Sequence, residues 1–136
     1  AMAAFTRYVE IFSRYGEARI LSDGGIVVDV ELDGQKVQGI NGGPAGFAHS
    51  PAFSMSVLCE GSEQVDHYWD SLVEGGEPSQ CGWLVDRWGI SWQIVPRELL
   101  TLMSDPDPAK AAATRDAMLA MSKIDVDALR AAHDSA

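Results

Sequence analysis

The sequence predicts an α+β fold built on antiparallel hairpins, and three observations point to it. Segments with helical and with strand periodicity are interspersed along the chain. The dipeptide Asp33-Gly34 lies between two strand-like runs as a tight hairpin turn, and a helix followed by a hairpin occurs twice. Parallel neighbours would need a long crossover connection, which a two-residue turn cannot supply. At 136 residues, with 46% hydrophobic and 22% charged residues, the chain has the size and composition of one globular domain. Its expected divisions are a first module over 1–51, a second over 52–96 and a helical tail over 97–136.

The first helix is expected to end near Phe12. Phe5, Tyr8, Val9 and Phe12 recur at the i, i+3, i+4, i+7 spacing of one buried stripe. Gly24-Gly25 leads into the β-branched run Ile26–Leu32, and Gln35–Ile40 is its returning strand. Asn41-Gly42-Gly43-Pro44 then breaks regular structure, with a loop to about Pro51. From Ala52 the pattern alternates, Phe53, Met55 and Val57 on one side and Ala52, Ser54 and Ser56 on the other. Ser62 is the expected cap of the next helix, whose stripe is Val65, Tyr68, Trp69 and Leu72, and Gly75-Gly76 ends it. Cys81–Val85 and Ile90–Val95 read as two strands joined by the tight turn Asp86–Gly89. In the tail, Asp107-Pro108 opens a helix over Ala109–Met121, and Asp125 caps a last short one through Leu129.

Charge and cysteine content narrow the possible partners. Twenty acidic against ten basic residues give a net charge of −10, and the basic residues are dispersed, so a phosphate backbone would be repelled. No apolar run approaches the length needed to span a bilayer, and no signal peptide pattern opens the chain. Nucleic acid and membrane are therefore not expected partners, and the expected location is the cytoplasm. Cys59 and Cys81 could form at most one bridge and offer no Cys-x-x-Cys metal pair.

Several residues carry possible chemistry. Cys81 is accessible beside Gly82, but no histidine accompanies it to lower its pKa, so burial outweighs a nucleophilic role. Asp29 and Glu31 share a strand face as a possible acid–base pair or as solvated edge charges. Asn41 offers an amide to a ligand, or forms a turn. His49, His67 and His133 are expected to have few co-located carboxylates with which to form a ligand set, and read as surface or boundary residues. Trp83, Trp88 and Trp92 pack in core or interface, with Trp83 also a possible pocket wall.

Many segments together resemble one family. They are Leu32-Asp33-Gly34-Gln35, Asn41-Gly42-Gly43-Pro44, Val57-Leu58-Cys59-Glu60, Val65-Asp66-His67-Tyr68-Trp69, Leu72-Val73-Glu74-Gly75-Gly76, Cys81–Gly89 and Ser91–Pro96, with Ala117-Met118-Leu119 and Lys123-Ile124-Asp125 in the tail. On these the chain resembles the PhnB-like branch of the glyoxalase/bleomycin-resistance (vicinal oxygen chelate) superfamily, whose members are often labelled 3-demethylubiquinone-9 3-methyltransferase. The resemblance implies paired βαβββ modules whose sheets form a cup, with helices outside, a small organic molecule bound inside, and a homodimer. At its front the sequence departs from the family, which carries a first strand ahead of the helix and a longer turn after Phe12; missing residues are expected there.

The resemblance also implies where chemistry would sit. Metal-dependent members end the strand after the Asp86–Gly89 turn in a ligand glutamate, which here is Gln93, and Ala52 stands at or beside their ligand histidine. A neutral amide and an alanine remove most of the affinity for a transition ion, so no metal or other cofactor is expected. With Gln93 inside the cup, Ser54, Ser56, Trp83 and Asn41 complete the expected ligand pocket; catalytic residues are not assigned. The expected function is binding, or conversion by an unknown reaction, of a small organic molecule. Two alternatives remain: a metal-dependent lyase, isomerase or dioxygenase whose ligands lie partly in the residues expected to be missing, and a drug-sequestering protein of the bleomycin-resistance kind. The methyltransferase label finds no support, because Gly42-Gly43-Pro44 follows a hairpin strand and opens no helix.

Overall fold

The computed structural model describes residues 1–136, and the chain divides into two compact units, Ala1–Ala48 and His49–Ala136. The α+β class is as expected, with each sheet open.

In the first unit, helix α1 (Met2–Phe12) precedes strands β1 (Ala18–Asp23), β2 (Val27–Leu32) and β3 (Gln35–Ile40), which form an antiparallel sheet in the order β1-β2-β3. The hairpin turn falls where expected, with Asp33 and Gly34 both at positive φ, 49° and 83°, the geometry whose twist matches a two-residue hairpin. The α1 stripe is Ala4, Phe5, Tyr8, Ile11 and Phe12, with Val9 at its margin. It covers Val28, Val30 and Leu32, and each large side chain so buried contributes roughly 1.5–3 kcal/mol. Gly39 leaves space for this packing, since a Cβ there would sit 2.7 Å from the Phe5 ring. Strand β1 was not expected, because Ala18–Asp23 has one buried face at most and lacks a clean apolar alternation.

The second unit begins with β4 (Ser54–Cys59), crosses through α2 (Gly61–Val73) and continues as β5 (Glu77–Pro78), β6 (Trp83–Val85) and β7 (Ser91–Pro96). Strand order is β4-β7-β6-β5, with β4 parallel to β7 and the other pairs antiparallel. The α2 stripe is the expected Val65, Tyr68, Trp69 and Leu72. Its start is not: Glu60 occupies the cap position, two residues before the expected Ser62, which lies inside the helix, with Gly61 making the turn at a positive φ of 78°. Phe53 is also corrected. It precedes β4 and is 65% exposed, so Val57 and Cys59 form the buried side of that strand. Gly76 fits where no other residue would, since a Cβ there would lie 2.0 Å from the Val85 carbonyl oxygen.

Three helices follow, α3 (Arg97–Met103), α4 (Pro108–Leu119) and α5 (Val126–Asp134). Asp107 and Asp125 cap α4 and α5 as expected, accepting from the Ala109 and Ala128 amides, while α3 was missed because Pro96 masks its start. Leu99, Ile124 and Leu129 form their core, with Leu102, Met103, Ala117, Met118 and Met121 against it. The loop before α5 is tied to the sheet: the Cys81 and Gly82 amides donate to Met121 and Ser122 at 2.9 and 2.8 Å.

An ionic clasp closes the end of this helical group. His133 Nε2 lies 2.9 Å from Asp105 Oδ2, and Nδ1 lies 3.0 Å from Asp134 Oδ1. The bond to Asp134, then that to Asp105, holds the imidazole above its ordinary 6.5. Asp105 is held below its ordinary 3.8, first by the Asp107 amide and then by His133. A folded-state pKa above the unfolded one stabilises fully below pH 6.5 and ceases to as pH rises through the raised value; the Asp105 contribution is lost on acidification below 3.8. The urea midpoint should therefore fall as pH is raised from about 6 to about 8.5. In His133→Gln that dependence should largely disappear; an equally steep profile in the variant would assign it to other groups.

Candidate functional site

The β7 strand has two faces with different chemistry. Trp92, Ile94 and Pro96 join Leu84 and the buried side of β4 beneath α2. Alternation places Ser91, Gln93 and Val95 on the opposite face. Register adds Ser54, Ser56 and Leu58 from β4 and Trp83 and Val85 from β6, since Ser54 pairs with Ser91 and both Ser56 and Trp83 pair with Gln93. Four of the expected pocket residues, Ser54, Ser56, Trp83 and Gln93, thus share one sheet face, and Trp92 lies on the other, as parity requires.

Gln93 is half-buried and its Nε2 donates to Ser54 Oγ at 2.9 Å. That bond orients the amide and leaves its carbonyl oxygen as an acceptor on the same face. Ser56 is exposed and Trp83 half-buried. By register Glu77 of β5, opposite Val85 at the sheet edge, is the one ionisable side chain of this face, so around Gln93 the face supplies hydrogen bonds and an indole wall but no cation. Ser91, also here, is 3% exposed and its hydroxyl has no hydrogen-bond partner. Sequence patterning pointed to Ser54 and Ser56 but gave no sign that Ser91 is buried, because serine at a strand start reads as solvent-facing.

The fifth expected residue, Asn41, lies in the first unit. There its Nδ2 donates to the Gly25 carbonyl at 2.7 Å and its amide nitrogen to Ile26 at 2.7 Å, the turn-forming use. Asp29 and Glu31 are likewise engaged. Asp29 accepts from Gln38 at 3.0 Å and Ser22 at 2.9 Å, which hold its pKa below the ordinary value, and Glu31 faces Arg19 at 3.6 Å. A carboxylate made more acidic is a poorer base.

What fixes the site is Asp86. This carboxylate is 3% exposed; Oδ1 accepts from the Trp88 and Ile90 amides at 2.9 and 3.0 Å, and Oδ2 accepts from the Trp92 indole at 2.9 Å. It shapes the turn and pins Trp92 to the helix side.

The donor set does not suit a transition ion. Gln93 presents only the oxygen of a neutral amide, Ala52 is exposed ahead of β4, and no three His, Cys, Asp or Glu side chains converge. Cys59 is buried and its thiol is pushed up to about 12 by that burial, so it stays protonated. Cys81 is half-buried at a φ of 57°. A surface cavity of about 420 Å³ opens elsewhere, among Ser62, Asp66, Lys123 and Asp125–Asp127. Its charges already serve the fold: Lys123 bridges Asp66 and Asp70 at 2.5 and 3.5 Å, and Asp125 caps α5.

Asp86→Asn should be strongly destabilising, because its amide must turn NH₂ toward N–H donors that now meet a carboxylate. A loss of roughly 2–3 kcal/mol in urea unfolding, with altered Trp92 fluorescence, is expected; a change below about 0.5 kcal/mol would show that the turn holds without the carboxylate.

Comparison with known proteins agrees with the fold. The family model described as 3-demethylubiquinone-9 3-methyltransferase matches residues 2–95. Among solved structures, a candidate 3-demethylubiquinone-9 3-methyltransferase, the PhnB protein from Bacillus cereus, is 25% identical at a TM-score of 0.62, covering 70% of this chain and 89% of its own. Protein PA1353 from Pseudomonas aeruginosa, 14% identical at a TM-score of 0.56 over 69% of this chain and 86% of its own, shares the fold. No curated protein matches. The chain belongs to the PhnB-like family that this model describes.

Proposed function

We propose that this protein binds a small, uncharged organic molecule on the sheet face of Ser54, Ser56, Trp83 and Gln93, without a bound metal, as a member of the vicinal oxygen chelate superfamily. The observation that carries this reading is the Gln93–Ser54 hydrogen bond beside Trp83, on a face that has no cation and whose one carboxylate, Glu77, lies at the β5 edge. A few oriented polar groups on an apolar wall are what small-molecule sites offer. Binding is preferred to catalysis because the face supplies neither a nucleophile–base pair nor a metal ligand set. In the family's architecture two chains would form a homodimer. Free Cys59 and Cys81 favour a reducing compartment, hence the cytoplasm, and no helix is long and apolar enough to cross a membrane.

The methyl transfer named in the family's description is not carried over. Only Gly61 relieves the turn from β4 into α2, and no helix follows Gly42-Gly43-Pro44, so no glycine-rich cradle for a methyl donor precedes a helix.

A thermal-shift screen of small aromatics and oxo-acids, with elemental analysis of protein purified without added metal, tests the reading. A ligand that raises Tm in the native protein but about tenfold more weakly in Gln93→Ala, with no turnover and no stoichiometric ion, is expected. Stoichiometric zinc, nickel or manganese would overturn the metal-free site. The dimer is tested separately: sedimentation at micromolar concentration should give a species of twice the chain mass, and monomer alone would exclude it.

A further inference from the structure

The Ser91 hydroxyl is the buried side-chain oxygen that has no hydrogen-bond partner, in a residue 3% exposed. Such a group is unfavourable unless something else makes use of it. Its Cα partner across the parallel β4–β7 pair is Ser54, and alternation puts both side chains on the open face, about one strand spacing of ~4.8 Å apart. Ser54 Oγ accepts from Gln93 Nε2 at 2.9 Å. The Ser54 hydroxyl keeps its own donor while it accepts from Gln93, but in the position that bond holds it does not reach Ser91, whose hydroxyl has no partner.

We propose that the ligand of this face is a neutral group carrying an acceptor and a donor side by side, such as a carboxamide or lactam on a flat ring, and that Ser91 is the positioning residue that receives Ser54 when the ligand takes the Gln93 amide. This rests on the binding reading above. The Gln93 amide presents one N–H donor edge and one carbonyl acceptor, so its best partner is the mirror arrangement, a C=O beside an N–H. Once Nε2 turns to the ligand, the Ser54 hydroxyl is released and rotates onto Ser91, so one binding event also satisfies the buried oxygen. The indole of Trp83, directly across from Gln93, offers its surface to the ring. A carboxylate suits the face badly: it brings two acceptors, one of them against the Gln93 carbonyl oxygen, and no cation on the face offsets its charge.

Benzamide and benzoate share a ring and differ in the group at issue, so they test the proposal directly. Titrations followed through the Gln93 side-chain amide and Trp83 indole NMR signals should show both signals moving with benzamide, at an affinity at least about tenfold above that of benzoate. In Ser91→Ala the free protein should gain about 2 °C or more in Tm, because the unpaired hydroxyl is gone, while benzamide binding weakens about fivefold. A purely structural Ser91 would give the opposite pattern, a lower Tm with affinity unchanged. Benzoate binding as tightly as benzamide, or unchanged benzamide affinity in Ser91→Ala, would overturn the proposal and leave the binding reading standing. If neither compound moved either signal, and no compound of the wider screen did so, both would fall.

Discussion

The second unit depends on one buried carboxylate. Asp86 gathers two backbone amides of its own turn and the indole of Trp92, so the turn geometry and the downward orientation of Trp92 are one constraint. A strand has a side-chain period of two, and a slip of one residue would exchange its faces. Holding Trp92 beneath α2 therefore also holds Ser91 and Gln93 on the opposite face. Charged acceptors are worth more than neutral ones in a dry environment, where the Trp92 residue is 1% exposed. Close backbone approach reinforces the constraint. The chain at Gly76 passes directly against the Val85 carbonyl and Asp86 backbone, so the turn is braced from the β5 side.

The two faces that result divide the chemistry cleanly. Beneath α2 lie Val57, Cys59, Leu84, Trp92 and Ile94, all buried apolar groups. On the open face lie hydroxyls, an amide, an indole and aliphatic side chains, in a protein whose net charge is −10. The one carboxylate that register adds to this face, Glu77, lies at the β5 edge, so on the proposed reading a neutral ligand at Gln93 would be desolvated without the cost of burying a charge.

How much of this the sequence revealed follows from the strength of each local signal. The hairpin at Asp33-Gly34, the α2 stripe and the Asp107 and Asp125 caps rest on residues whose local chemistry allows few alternatives, and they were legible. Strand β1 was not, because its residues are mostly exposed and leave no periodic trace. The start of α2 was misplaced because Gly61 accepts a backbone angle that Ser62 capping would have made unnecessary. Phe53 was drawn into the buried set by alternation that begins only at Ser54. For the site, strand parity was sufficient to bring Ser54, Ser56, Trp83 and Gln93 together, since it needs only register. Asn41 and Ser91 were beyond it: Asn41 bonds Gly25, sixteen residues away, and the burial of Ser91 leaves no mark in its local sequence.

The duplicated architecture sharpens the distinction between a binding face and a merely polar one. The order α1-β1-β2-β3 repeats α2-β5-β6-β7, and each last strand carries a glutamine directly opposite a residue of the strand before it: Gln38 opposite Asp29, Gln93 opposite Trp83. In the first unit the glutamine donates to the carboxylate across from it, among Arg19 and Glu31, and the face reads as solvated charge. In the second, an indole takes the place of that carboxylate, so the glutamine must find its acceptor sideways in Ser54. A charged partner would hold the amide firmly; a single neutral hydroxyl holds it by roughly 0.5–1.5 kcal/mol. An amide bound that weakly, beside an aromatic surface, is the one of the two that a ligand would recruit on the proposed binding reading.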